Sequence, residues 1–473
     1  MKSENEDHLY LDYFGHNEDC IYPLHTSISL FLLAYCECKI FRIFLVTSNE
    51  ITSDLQQTEE ILSKYPEISF IKRSEIPVMV QSCCLPAVVE KNGRFCRAGL
   101  AVVLRYIVQK THEADPLNKG VLELLGFKRT CLKACAEVAC KKHQNNILQL
   151  PLILSWYKRV LEVPGIKQAT VKCNIKNILD CQLHPLPNEC QQNTFTAFKE
   201  PENVPEEIQF IGGPRPTITK LMEKGIEAMF SPHPCPKWAL DWDSLPGAVN
   251  PGKGKMSADR ALRKQQQLNN LIALVTKLAK PGDVIVDFCS GGGHVGIVLA
   301  YILPLCQIIL VENKEQSLIC AEKRSDELGL HNIWFIQANM DNFKGSFNIG
   351  VALHACGVAT DMVIEHCIKV GAAFVISPCC YGFVQNTSKF AFPKSHQFKK
   401  VLSYKEHMIL CRFADQTAVQ LPPERRQIGK QCMGLVDLDR AWSVERSNYS
   451  VQVITMEPQS CSPKNNLITG IPV

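Results

Sequence analysis

Residues Asp283 to Ala300 read DVIVDFCSGGGHVGIVLA. The first four read as a fully buried strand, with Val284, Ile285 and Val286 apolar and β-branched. Asp287 ends that strand, Ser290 and Gly291 to Gly293 make a tight loop, and an apolar helix resumes from Val295. This is the strand, glycine loop and helix of a nucleotide-binding βαβ unit. The glycines also spell Gly291-x-Gly293-x-x-Gly296, a dinucleotide fingerprint, so they leave the ligand open. Asp287 discriminates better. A carboxylate at the strand's end repels a pyrophosphate seated on the following helix N-terminus, and it suits a ligand that carries an amino group.

Asp287-x-Cys289-x-Gly291-x-Gly293 resembles the first motif of the class I S-adenosylmethionine-dependent methyltransferases, with Cys289 where that family usually has a glycine. The resemblance implies a methyl-donor site built from Asp287, Cys289, Ser290, Gly291, Gly292 and Gly293. Cys289 restricts the backbone at the place where the ligand's carboxylate would approach. Gln307 to Val311 is a second buried strand that ends at Glu312, 25 positions beyond Asp287. A carboxylate there suits ribose hydroxyls; the alternative is an acid that caps the next helix. Ile333 to Gln337 is a third strand leading to Asn339, whose amide can both donate and accept toward an adenine. Phe347 to Leu353 and Ala373 to Ser377 are the fourth and fifth strands. Val451 to Met456 and Leu467 to Ile471 read as a closing antiparallel hairpin, which completes a seven-stranded α/β sheet.

The fourth strand is expected to open into a loop, His354-Ala355-Cys356-Gly357, and the fifth into Pro378-Cys379-Cys380-Tyr381-Gly382. With the Ser290 to His294 loop, these two motifs resemble a small methyltransferase-like family. They place His354, Cys379, Cys380 and Tyr381 as the catalytic candidates. His354 suits a general base, since an unperturbed imidazole titrates near neutrality. Cys379 and Cys380 suit a nucleophile or methyl acceptor if something lowers a thiol pKa. A third reading gathers His354, Cys356, Cys379 and Cys380 around a metal. It is set aside because adjacent cysteines do not readily share one tetrahedral ion, and no metal is expected. The chain lacks the Asn/Asp-Pro-Pro-aromatic tetrapeptide of amino-group methyltransferases after its fourth strand, which argues against base or amide nitrogen as acceptor.

Toward the N-terminus, the pattern predicts strands at Leu9 to Phe14, Lys39 to Thr47 and Val78 to Val89. Helices are predicted at Thr26 to Cys36, Thr52 to Tyr65 and Ala98 to Lys110, with a turn at Asn92-Gly93 and a short strand at Arg94-Phe95. This βαβαββα order is the thioredoxin pattern. With LPAVVEKNGRFCRAGLAVVLRYI, from Leu85 to Ile107, it resembles the N-terminal domain of glutathione transferases, Pro86 standing at that family's cis-proline. The acid and serine that hold the γ-glutamyl end of glutathione are replaced by Gly99 and Leu100, so the tripeptide has no anchor and transferase turnover is not expected. Leu148 to Gly165 looks like the closing helix of a glutathione transferase C-terminal domain, although the gap before it is too short for that domain's other helices.

At 473 residues, 46% apolar and 21% charged, the chain is long enough for two or three soluble domains. A net charge of +4 implies no electrostatic commitment to nucleic acid or anionic lipid. The 23 cysteines are scattered through apparent helices and strands with no cleavable signal before them, which fits a reduced cytoplasmic compartment. The run from Ser27 to Val46 is broken by Glu37, Lys39 and Arg42, so no membrane span is expected. Four regions follow: residues 1–110, thioredoxin-like; 111–180, a shortened helical region; 181–256, a linker and Pro-rich segment with one helix at Lys220 to Phe230; and 257–473, methyltransferase-like. Ser257 to Lys280 is an amphipathic helix whose first turns carry Arg260, Arg263 and Lys264, which read as a solvated face, with an anionic partner as the alternative. The sequence therefore predicts an S-adenosylmethionine-dependent methyltransferase whose acceptor it leaves open among RNA, protein and small molecules, with a non-catalytic front module that binds or dimerises. The rival reading is a scaffold of two enzyme-derived folds without turnover.

Overall fold

The computed structural model describes residues 6–13, 22–47, 68–117, 121, 124–125, 213–253 and 256–473. The predicted helix at Thr52 to Tyr65, the helical segment Leu148 to Gly165 and the linker before Phe210 lie outside them. The chain divides into two compact units, residues 1–93 with 97–209, and residues 94–96 with 210–473. Among the described residues no helix is long and apolar enough to cross a membrane.

The first unit contains β1 (Asp7–Asp12), α1 (Leu24–Tyr35), β2 (Phe41–Thr47), β3 (Ile68–Lys72), α2 (Val78–Gln81) and β4 (Ala87–Val89); β5 (Phe95–Ala98) and α3 (Leu100–Ala114) follow. β1 runs parallel to β2 and antiparallel to β4, and β2 is parallel to β3. Leu9, Leu11, Leu30, Leu33, Ile43, Leu45, Val88, Val103 and Ile107 close its core. The continuous strand at Val78 to Val89 is instead a single helical turn after Pro77 followed by three strand residues, because Pro86, on a cis bond, has no amide for a ladder. The strand at Ile68–Lys72 was not anticipated. Gly99, at φ +91°, is the N-cap of α3, and Leu100 is its first residue.

The second unit carries α4 (Arg215–Met222), α5 (Ala258–Leu278), β6 (Val284–Phe288), α6 (His294–Ile302), β7 (Gln307–Glu312), α7 (Glu315–Glu327), β8 (Ile333–Gln337), β9 (Ile349–Cys356), α8 (Ala359–Val370) and β10 (Ala373–Cys379). After these come α9 (His396–Val401), α10 (Tyr404–Ala414), α11 (Pro423–Glu445), β11 (Tyr449–Thr455) and β12 (Asn466–Pro472). The described residues thus hold twelve strands rather than seven, and seven of the twelve are β6 to β12. Their order is β11-β12-β10-β9-β6-β7-β8. β6 to β10 are parallel, while β12 is antiparallel to both β10 and β11. The reversal of strand order beside β6 leaves a crevice at the carboxyl ends of the strands, where open α/β sheets bind ligands.

Local chemistry explains these elements. β6 and β7 are buried on both faces, as parallel strands between helices must be. α5 packs Ala261, Leu268, Leu271, Ile272 and Val275 into the core, each large aliphatic contributing about 1.5–3 kcal/mol. The helix predicted at Lys220 to Phe230 ends at Met222, because Gly225 turns left-handed at φ +71°.

The segments that follow β9 and β10 and the start of β12, three neighbouring strands, are joined through one buried cation. Arg440 on α11 is 1% exposed, and its Nη2 donates to Asp361 Oδ2 at 2.9 Å and to the Gly357 carbonyl at 2.9 Å. Its Nη1 reaches Asp437 Oδ1 at 3.4 Å. Asp437 Oδ2 in turn accepts the Tyr381 hydroxyl and the Asn466 amide, each at 2.7 Å. Burial alone would raise Asp361, but the charges of Arg440 and Lys394 hold it below its ordinary value. Arg440→Met removes the paired cation of buried Asp437 and leaves buried Asp361 with Lys394 alone, so it should lower the stability of this unit by about 3–5 kcal/mol in urea unfolding. A loss below about 1 kcal/mol would show that the network is dispensable.

Candidate active site

The loop after β6 is shaped by three left-handed residues, Cys289 at φ +53°, Gly291 at φ +53° and Gly293 at φ +72°. A side chain at Gly293 or Gly296 would collide with Leu310, so α6 packs directly on β7. A Cβ at Gly291 or Gly292 would meet nothing within 4 Å, so the space over the loop is open. Cys289 is strained in a conformation that suits glycine, and burial pushes its thiol up to about 12. From the other side Arg324 on α7 ties the loop down, with Nη1 donating to the Gly292 carbonyl and Nε to the Ala248 carbonyl, both at 2.8 Å.

Asp287 is 1% exposed, and its Oδ2 accepts the Gly296 amide at 3.0 Å. Burial drives its pKa up to about 7, opposed by that hydrogen bond and by the Lys264 ammonium. Glu312 folds over the loop. Its Oε2 accepts the Gly291 amide at 2.9 Å, and its Oε1 accepts the amides of Asn313 and Lys314 at 2.9 and 3.0 Å. It therefore caps the start of α7 and touches the glycine loop at once. Asn339 is exposed just beyond β8. The hydroxyl of Ser290 and the amide oxygen of Gln337 are buried without a hydrogen-bond partner.

His354, Cys356, Pro378 and Cys379 belong to strands rather than to loops, which corrects the sequence reading. Ser377 pairs with Leu353 but Pro378 pairs with Ala355, so His354 is the extra residue of a β-bulge. Pro378 has no amide to donate, and the ladder shifts there. His354 is left-handed at φ +71°, and its Nε2 lies 3.1 Å from Gln267 Oε1. The Gln267 amide nitrogen donates to the Cys461 carbonyl at 2.8 Å, which leaves its oxygen facing the imidazole. His354 Nε2 is therefore the protonated nitrogen, and Nδ1 keeps its lone pair. Burial and the Lys264 charge lower His354 to about 4, so the ring is neutral at pH 7 but a weaker base than its ordinary value suggests.

Cys356 and Cys379 face each other across β9 and β10 with their sulfurs 3.2 Å apart, and Cys380 follows at φ +51°. Burial raises both the Cys379 and Cys380 thiols, so neither is an activated thiolate. Tyr381, expected among the catalytic residues, is fully buried with its hydroxyl on Asp437. Its place is beneath the site as a pin.

Sequence reasoning missed one residue that faces this group. Lys264 looked like part of a basic surface with Arg260 and Arg263, which are indeed exposed. Its ammonium instead acts on Asp287, His294 and His354, and burial lowers its pKa to about 8. The signal was in the spacing. Ala261, Lys264, Leu268, Leu271 and Val275 fall on one helical stripe, so Lys264 occupies an inward position.

Five parallel strands, a reversed hairpin and a glycine loop closed by an acidic strand end define a domain of the methyltransferase type, and residues 263–387 match a family described as a methyltransferase domain. The chain is 49% identical over 630 aligned positions to the human glutathione S-transferase C-terminal domain-containing protein, covering 99% of this chain and 98% of that one. It belongs to that family. A Drosophila melanogaster homologue is 44% identical over 247 residues, 51% of this chain and 42% of its own. The aligned span with the human relative exceeds the 473 residues here, so that relative carries residues which this chain lacks. Among solved structures, magnesium protoporphyrin IX methyltransferase from Synechocystis PCC 6803 is 14% identical, covers 46% of this chain and 89% of its own, and has a TM-score of 0.30. The fold assignment rests on strand order rather than on that likeness.

The raised pKa of Asp287 has a definite sign. Its folded value of about 7 lies above the ordinary 3.8, so the folded state holds the extra proton between those limits. Its contribution to stability therefore falls as pH rises from about 4 to about 7. Asp287→Asn keeps an acceptor for Gly296 and should stabilise the protein at pH 8 by on the order of 1–3 kcal/mol, the advantage shrinking toward pH 4. Thermal unfolding across that range checks it, and an advantage independent of pH would contradict it.

Proposed function

We propose that this chain transfers a methyl group from S-adenosylmethionine to an RNA or protein acceptor, with the first unit as a non-catalytic binding or dimerising module. The observation that carries the reading is an acid and an amine, Asp287 and Lys264, placed together at the loop. Asp287 offers a carboxylate for the donor's ammonium and Lys264 an ammonium for its carboxylate, beside open space over Gly291 and Gly292. The orphaned Ser290 hydroxyl and Gln337 amide oxygen are further groups that a polar ligand would satisfy. Glu312 is positioned for ribose hydroxyls once its contact with Gly291 is shared, and Asn339 is free at the surface for an adenine edge.

The bound donor would supply an electrophilic methyl group. The chain's own residues hold and orient the reactants and move a proton. His354 Nδ1 accepts a proton from an acceptor, weakly, and the bulge that aims His354 is held by Gln267. Tyr381 and Arg440 are positioning residues beneath the two motifs. RNA as acceptor is supported by the exposed Arg260 and Arg263. A short likeness points the same way, 32% identity over 66 residues to a Chlorobaculum tepidum protein named ribosomal RNA small subunit methyltransferase G, covering 14% of this chain and 30% of that one.

The scaffold reading draws on Cys289, whose strained backbone replaces a glycine at the loop. Incubating the full chain with tritiated S-adenosylmethionine and cell extract separates the two. The methyltransferase reading expects label in a nuclease- or protease-sensitive fraction, reduced about tenfold or more by Glu312→Ala. Label at background with the native chain supports the scaffold.

A further inference from the structure

We propose that Cys356, Cys379 and Cys380 form a three-thiolate site for one zinc ion, with a fourth coordination position left open to an exogenous ligand. The sulfurs of all three residues lie within 4.8 Å of one another, and Cys356 and Cys379 approach to 3.2 Å. Zinc–sulfur bonds of about 2.3 Å in a tetrahedron place sulfurs about 3.8 Å apart, so side-chain adjustment alone brings the three onto one ion. All three are free cysteines.

The backbone removes the objection that adjacent cysteines cannot share a metal. Successive residues of a strand point to opposite faces. Cys380, however, leaves β10 in the left-handed region at φ +51°, and this turn brings its sulfur back beside that of Cys379. The third sulfur arrives by a separate device. The bulge at His354 shifts the register of β9 by one residue and sets Cys356 directly opposite Cys379. Two strained positions and one register shift thus converge on a single cluster of soft donors, and such strain gathers at functional sites.

Three thiolates select a thiophilic ion over magnesium or calcium. His354 is not among the donors that lie within 4.8 Å of one another; that group is the three cysteines alone. Asp415 is engaged elsewhere, accepting the amides of Tyr381 and Gly382 at 3.1 and 2.8 Å. Cys356 is exposed, so an ion or a small exogenous ligand can reach the cluster from solvent. Three protein ligands with a vacant fourth position mark a reactive rather than a purely structural zinc site. On binding, the three S–H bonds lose their protons to solvent and three Zn–S bonds form, with no change of oxidation state.

The test uses the full chain, reduced and stripped of metal, titrated with cobalt(II) alone and then with zinc alone. One cobalt per chain should bind with thiolate-to-metal charge-transfer absorption and proton release, and zinc should displace it. Cys356→Ser and Cys380→Ser should each weaken binding on the order of 100-fold or more, whereas Cys320→Ser, at an exposed cysteine outside the cluster, should not. Circular dichroism of the variants verifies that they fold, and Cys356, at the surface, is the safer substitution. Absence of the charge-transfer band in the native chain overturns the proposal. So does a band unchanged in both cluster variants, or a Cys356–Cys379 disulfide found in protein kept reduced. Metal binding is read without methyl transfer, so its failure is distinct from failure of the methyltransferase reading.

Discussion

A guanidinium buried among two carboxylates is the constraint on which the candidate site depends. Taking Arg440 out of water is costly, and its hydrogen bonds to Asp361 and the Gly357 carbonyl are what make its position tolerable. Those bonds reach the turn that follows β9. Through Asp437 the same network reaches Tyr381 after β10 and Asn466 at the start of β12. Four segments distant in sequence are therefore held by one charge, and the two cysteine-bearing motifs have few alternative positions. An apolar core could cement these elements as strongly, but it would not fix their direction as hydrogen bonds do.

A second constraint is local. Pro378 cannot donate to the ladder, the register shifts beside it, and His354 is extruded at a positive φ. The shift aims His354 toward Gln267 and aligns Cys356 with Cys379. Cys289 and Cys380 are strained in the same sense. Left-handed conformations at non-glycine residues cost about 1–3 kcal/mol each and persist only where the surroundings impose them. Here the strained positions lie at the carboxyl ends of β6, β9 and β10, on the edge of the sheet where a ligand would sit.

Much of the second unit was legible because parallel strands buried on both faces read as unbroken apolar runs. Ile333 to Gln337 matches its observed strand end for end, and the glycine loop and closing hairpin are where the pattern put them. Helix α11 was not read at all. Its buried face includes Asp437, Asp439 and Arg440, so the apolar periodicity that announces a helix is broken by the residues that matter most. Lys264 was misassigned for the converse reason, as a charge on a stripe that periodicity marks as inward. The bulge was invisible because register depends on a partner strand that no local pattern names. In the first unit, the one-turn helix before Pro86 was concealed by a β-branched, apolar stretch that resembles a strand.

The proposed site for a zwitterionic methyl donor lies between Asp287 and Lys264, and isothermal titration of the full chain with S-adenosylmethionine tests it. The expected result is one site per chain, weakened about tenfold or more when Asp287→Ala removes the carboxylate. No binding by the native chain, or equal binding by the variant, would contradict it.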